Sequence, residues 1–248
     1  MIRKATALIA LLVLSACGAL GSGQGSSSPM QKLTVFAAAS LQPPFDAIAK
    51  QLGNITITFN FAGTQTLTSQ LQQGAQADVF ASADTAHMKT LQDAGLISGE
   101  PKLFVHNRLE IAVERGNPKG IHTLDDLARA GVVVVLADPS VPAGKYAQQA
   151  LTKAGVTVHP KSLEPQVTGV VSKVALGEAD AGIVYVSDIV TSGEVDGIAI
   201  PDGQNVIADY PIATVKGAQD AGAAGAFIAY VLSSQGQAIL AQDGFEKA

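Results

Sequence analysis

The first residue able to do chemistry is a serine at the end of an apolar run. In Leu33-Thr-Val-Phe-Ala-Ala-Ala-Ser40-Leu41, strand-tolerant residues lead through three alanines to Ser40. Beyond it, Leu41, Phe45, Ile48, Ala49 and Leu52 fall on one face of a helix. Ser40 is therefore expected at the carboxyl end of a strand and at the N-cap of a helix. Such a position offers a hydroxyl, unpaired backbone N–H groups and the positive end of a helix dipole, which together hold an anion. An ordinary βα turn capped by serine is the other reading of the same stretch.

Enzymatic constellations are hard to find. His87, His106, His122 and His159 are scattered without metal-ligand spacing. There is no Gly-x-Ser-x-Gly elbow, so Ser40 as the nucleophile of a serine hydrolase lacks a marked base. Ala143-Gly144-Lys145-Tyr146 echoes a phosphate-binding loop only faintly, since the Ser/Thr and the earlier glycine are missing. Asp78, Asp138 and Asp180 at strand ends read as turn caps. Asn54-Ile-Thr56 matches a glycosylation sequon by chance, inside a strand-forming run.

The elements that position these residues alternate. Strands are expected at Leu33–Phe36, Ile55–Phe61, Asp78–Ala81, Lys102–Val105, Leu109–Val113, Val132–Leu136, Val156–His159, Ala181–Val186, Ile198–Ile200 and Pro211–Val215. Helices are expected at Leu41–Leu52, after Thr64, after Asp84, from Pro142 to Lys153, from Val167 to Gly177, after Ser187-Asp188, and over 219–241 with a break at Gly236. Thr123-Leu-Asp-Asp126 resembles a capping box. This is a doubly wound α/β pattern. In such sheets ligands bind beyond the carboxyl ends of the strands. That rule singles out the loops at Ser40, Thr64, Ala143, Val167 and Tyr185.

The chain has 248 residues, 47% of them hydrophobic, enough for one large or two modest domains. Trp is absent and aromatic residues make up 5%, which argues against a surface for stacking sugars or bases. Net charge is −5; without Arg3 and Lys4, 14 basic residues face 21 acidic ones, a net −7. No basic run remains, so nucleic acid is excluded as a partner. Arg3 and Lys4 precede an apolar run, Ala5–Leu14, too short to span a membrane, and then Leu14-Ser15-Ala16-Cys17. This looks like a bacterial lipobox: residues 1–16 a signal peptide, and Cys17, the one cysteine, lipidated at the mature N-terminus. Residues 17–30, rich in Gly and Ser, then form a flexible tether to an exported domain.

An ordered set of motifs resembles the molybdate-binding substrate-binding proteins of ABC importers. They are Thr34-Val-Phe-Ala-Ala-Ala-Ser40-Leu, Phe61-Ala-Gly-Thr64-Gln-Thr-Leu, Ala77-Asp-Val-Phe-Ala-Ser-Ala-Asp84, Asp138-Pro-Ser-Val-Pro-Ala143-Gly-Lys-Tyr-Ala, Gly177-Glu-Ala-Asp-Ala-Gly-Ile-Val-Tyr185-Val-Ser-Asp188 and Tyr210-Pro-Ile-Ala. The resemblance implies a type II periplasmic-binding fold: two doubly wound lobes, residues 31–110 with 209–248 and residues 111–208, joined by two crossing strands. It implies an oxyanion, molybdate or tungstate, held between the lobes. Ser40 and Thr64 would give hydroxyl and backbone N–H groups, Ala143 and Val167 backbone N–H groups, and Tyr185 its phenolic hydrogen. Thr64 departs from the serine often found there, and the neighbouring Gly63 is expected to relieve its extra methyl. No direct metal ligand, no cofactor and no catalysis are implied. The implied partners are a membrane permease and, through Cys17, the outer face of the membrane, with the protein itself a monomer. A receptor of the same fold for sulfate or phosphate is the alternative. An all-donor site with no carboxylate suits an unprotonated dianion and disfavours phosphate, which keeps a proton near neutrality.

Overall fold

The computed structural model describes residues 31–248. The expected signal peptide, tether and lipidated Cys17 lie outside the described residues. The chain begins β1 (Gln31–Ala38), α1 (Gln42–Gln51), β2 (Ile55–Ala62), α2 (Thr64–Gln72), β3 (Val79–Ala81), α3 (Thr85–Asp93) and β4 (Ile97–Asn107). Next come β5 (Leu109–Glu114), β6 (Val134–Ala137), α4 (Pro142–Ala154), β7 (Ser162–Glu164), α5 (Val167–Ala175), β8 (Ala181–Tyr185), α6 (Val186–Ser192) and β9 (Val195–Ala199). It ends with β10 (Ala208–Val215), α7 (Ala221–Leu232), α8 (Ser234–Gln242) and β11 (Glu246–Lys247).

Two sheets result, ordered β2-β1-β3-β10-β4-β11 and β7-β6-β8-β5-β9. Each has the same plan. Strand β1 is parallel to β2 and β3, as β6 is to β7 and β8. One antiparallel strand follows in each, β10 beside β3 and β5 beside β8. That strand is in each case the first to form after the chain crosses from the other sheet, at Arg108 and again over 200–207. This is the type II periplasmic-binding arrangement. Because β1 lies between β2 and β3, the helices that follow β1 and β2 diverge, leaving a crevice at its carboxyl end.

Apolar side chains fill both halves. Phe45 of α1 meets Phe227 of α7 edge-on at 5.3 Å, and Phe104 lies 6.1 Å from Phe45. In the second half Val170 and Val174 of α5 pack under β6 and β8, all fully buried.

Three local expectations need correction. Val156–His159 is not a strand: Gly155 takes a left-handed φ of 72°, and the Val156 N–H closes α4 by bonding to the Leu151 carbonyl. The strand beside β6 is Ser162–Glu164 instead. The break between the last helices lies at Ser233, whose hydroxyl accepts the Gly236 N–H; Gly236 sits in the first turn of α8, where a side chain would strike the carbonyls of Tyr230 and Val231. Finally, Tyr185 is the N-cap of α6, and Asp188 caps it from inside the helix by accepting the Tyr185 N–H.

Candidate functional site

The loops after β1, β2, β6 and β8 and the start of α5 converge on one pocket between the two sheets. It is lined by Ala38, Ala39, Ser40, Gly63, Thr64, Ala83, Val141, Pro142, Ala143, Val167 and Tyr185, and holds about 230 Å³ of atom-free space, partly open to solvent. All five residues singled out by the strand-end rule line it. Among the described residues no carboxylate, histidine, lysine or arginine does.

The backbone donors come from helix starts. The first N–H groups of a helix have no acceptor within it. Thr64 and Val167 are the first residues of α2 and α5, and Ala143 the second of α4. None of these three helices has a side-chain cap. Helices α3, α7 and α8, which begin elsewhere, are capped by Asp84, Asp220 and Ser233. Helix α1 also lacks a side-chain cap, but prolines fill its first turn; a cap on α2, α4 or α5 would occupy N–H groups that face the pocket.

Ser40 differs from expectation. It sits in a single 3-10 turn, Ala39–Leu41, and Leu41 is the N-cap of α1. Pro43 and Pro44 at the start of α1 have no N–H to offer. Ser40 is thus no helix cap, and its side-chain contribution is a buried hydroxyl, 3.0 Å from the Tyr210 hydroxyl. The Thr64 hydroxyl oxygen accepts the Ala83 N–H at 3.2 Å, leaving its one hydrogen for the pocket. Gly63 allows the two halves to meet: a Cβ there would lie 2.6 Å from the Pro165 carbonyl oxygen and from the Gln65 amide.

Tyr185 ends β8 with 1% of its surface exposed, and its hydroxyl has no partner at bonding geometry among the described residues. Burial raises its pKa well above the ordinary phenol value, with Tyr210 adding to the effect, so it remains a protonated donor. Its ring meets that of Tyr210 edge-on at 5.8 Å. Asp188 is buried and accepts the Tyr185 N–H at 3.0 Å, which fixes the backbone beneath the phenol. Burial pushes its carboxyl up to about 7 against the opposing pull of that N–H.

The halves touch over the pocket, where the Gln65 Nε2 donates to the Pro165 carbonyl at 2.9 Å. Below it, the Asn107 Nδ2 donates to the Ser187 hydroxyl at 2.8 Å, beside the first crossing. A wider cavity adjoins on the Ser40 side, with about 600 Å³ of atom-free space. Asp188 and Glu194 line it, so it suits no dianion. Among the described residues the Ser40 hydroxyl bonds to a phenol whose pKa burial also raises, and to no carboxylate or histidine. The histidines lie away from the pocket, His87 on Asp84 at 2.9 Å and His106 on Asp209 at 2.7 Å. The sequence alone marks no role for Tyr210, though it opens the motif Tyr210-Pro-Ile-Ala, and offers Asp188 only as a cap.

A family model for bacterial extracellular solute-binding proteins matches residues 33–246. The chain belongs to this family. Among its relatives is the molybdate-binding protein ModA of Mycobacterium tuberculosis, 41% identical, with 99% of this chain and 98% of that protein covered. Two solved structures share the fold at lower identity. The periplasmic molybdate-binding protein of Azotobacter vinelandii is 19% identical, with a TM-score of 0.77 over 87% of this chain and 99% of that one. The sulfate-binding protein SubI of Mycobacterium tuberculosis is 20% identical, with a TM-score of 0.81 over 88% and 87%. The same fold thus occurs in proteins named for different anions.

Proposed function

We propose that this chain is an extracytoplasmic receptor that captures molybdate, and tungstate with it, and delivers the oxyanion to an ABC permease. The observation that carries this reading is the buried Tyr185 hydroxyl without a partner, set among helix starts that lack side-chain caps. A group left in that state costs about 1–3 kcal/mol unless a ligand satisfies it. A tetrahedral dianion with four acceptor oxygens and no proton meets every donor. Charge-assisted hydrogen bonds contribute roughly 1.5–3 kcal/mol each. A handful, less dehydration and closure, reaches micromolar affinity or better, about −8 kcal/mol. The identity to the mycobacterial molybdate-binding protein supports molybdate over sulfate.

Residues 31–110 with 209–248 form one lobe in this reading and residues 111–208 the other, hinged where the chain crosses between sheets. Closure brings Gln65 to Pro165 and completes the donor shell. The mature N-terminus is Cys17, lipidated and tethered, and the receptor acts as a monomer. Mass spectrometry of the mature protein checks the anchor, and an unmodified Cys17 rejects it; a dimer on sedimentation rejects the monomer. The main test is a calorimetric panel of molybdate, tungstate, sulfate and phosphate. Molybdate and tungstate bind; sulfate binding while molybdate does not would overturn the assignment.

A further inference from the structure

The Ser40–Tyr210 pair is more than packing. At 3.0 Å either hydroxyl could donate to the other. The neighbours of Tyr210 decide the direction. The Arg108 N–H donates to the Asn107 Oδ1 at 3.0 Å, so the Asn107 nitrogen is the atom turned toward Ser187 and Tyr210. An amide nitrogen only donates. Among the described residues the Ser40 Oγ is the one acceptor within hydrogen-bond distance of the Tyr210 hydroxyl, since the Asn107 nitrogen bonds to Ser187 and the Tyr185 hydroxyl stays short of bonding geometry. Tyr210 is fully buried, so no solvent competes for its hydrogen. Burial and the nearby Asp188 carboxylate both hold that proton on the phenol. The hydrogen goes to the Ser40 Oγ.

We propose that Tyr210 is a positioning and specificity-determining residue: by donating to Ser40 it turns the Ser40 hydrogen toward the bound oxyanion, and so disfavours oxyanions that carry a proton. Thr64 is wired the same way by a backbone group, the Ala83 N–H, which only donates. The Ser40 and Thr64 hydroxyls then both face the ligand as donors. The O–H of hydrogenphosphate or hydrogenarsenate meets donors and must give up its own hydrogen bond, whereas molybdate loses nothing. Tyr210 is not among the residues that line the pocket, so it acts through Ser40.

This inference rests on the oxyanion-receptor reading, and the test separates the two. Molybdate and phosphate are titrated calorimetrically into the wild type, Tyr210→Phe, Ser40→Ala and the double variant at pH 7.5. Tyr210→Phe keeps the ring contacts with Phe104, Tyr185 and Phe245. It is expected to weaken molybdate by about 3- to 10-fold, the worth of one neutral hydrogen bond. Phosphate is expected to hold or gain, so the preference for molybdate falls. In the Ser40→Ala background the same substitution has no effect, because its target is gone. Additive effects of the two substitutions, or equal weakening of both anions, overturn the inference while leaving the receptor reading intact. A wild type that ignores molybdate overturns both. Raman spectra of the tyrosine doublet test the wiring without Tyr210→Phe: Ser40→Ala must remove one donor-type tyrosine signature, and an unchanged doublet refutes the direction of the bond.

Discussion

Tyr185→Phe separates a ligand-binding phenol from a structural one, because the two roles predict effects of opposite sign. The hydroxyl is buried and makes no protein hydrogen bond, so its removal breaks none. The ring keeps its edge-on contact with Tyr210. The thermal midpoint of the ligand-free protein should therefore not fall. Binding should suffer, because one donor to a dianion is gone. At roughly 1.5–3 kcal/mol for a hydrogen bond to a charged group, molybdate affinity falls about 10- to 150-fold. A second consequence follows from burial. When the halves meet, the wild-type hydroxyl leaves water for a place without a protein partner, at a cost of about 1–3 kcal/mol. The variant escapes that cost and closes more readily without ligand, which small-angle scattering reads as a smaller radius of gyration. Calorimetry gives the affinity. Unchanged molybdate affinity in a folded Tyr185→Phe protein would refute the reasoning, and so would a loss of stability, which would show that the hydroxyl has a structural partner.

Gly63→Ala should cut molybdate affinity by about tenfold or more without moving the thermal midpoint, since φ −58° and ψ 137° suit any residue while the new Cβ keeps Pro165 away. Equal affinity by calorimetry would show that the halves need not meet there. Gly144→Ala should lower both, because its Cβ would collide with the carbonyls of Ala137 and Asp138 inside one half; the expected cost is about 1–3 kcal/mol by urea denaturation, and an unchanged midpoint argues against it. Asp188 predicts a pH dependence. Burial raises its carboxyl from 3.8 to about 7, so its contribution to stability is fully present below pH 3.8 and is lost as pH rises through about 7. Asp188→Asn should show a smaller drop in urea midpoint between pH 5 and pH 8 than the wild type, and should bind molybdate more tightly at pH 8; parallel pH profiles would reject the assignment.

The alternation of strands and helices was legible because its signals are local. Apolar spacing in Leu41–Leu52, the glycine after α4 and the apolar run into β6 each report on a few neighbouring residues. The strand-end rule then placed Ser40, Thr64, Ala143, Val167 and Tyr185 in one pocket without any knowledge of distance. The rule works because sheet topology constrains which loops share an end. Where it misled, a local competitor had won: Pro43 and Pro44 have no N–H to give the Ala39 and Ser40 carbonyls, so Leu41 and not Ser40 is the N-cap of α1, and the cap of α4 absorbs Val156.

The partners of the site residues were not legible, and the reason is sequence separation. Ser40 and Tyr210 stand 170 residues apart, and Gln65 and Pro165 stand 100 apart. Each pair joins segments that no shared periodicity links. The Ser40 pair depends on β10 returning to the first sheet after an excursion through the second. The return strand is antiparallel to its neighbours, so β10 enters the sheet at the end where β1 leaves it, and Tyr210 arrives under Ser40 as its strand begins. A strand that simply continued the parallel order would enter at the far edge, with its carboxyl end at the pocket and its first residues remote from it. The crossing that joins the two halves is thus also what brings a phenol beneath the serine, so the hinge topology and the donor direction of the pocket share one cause.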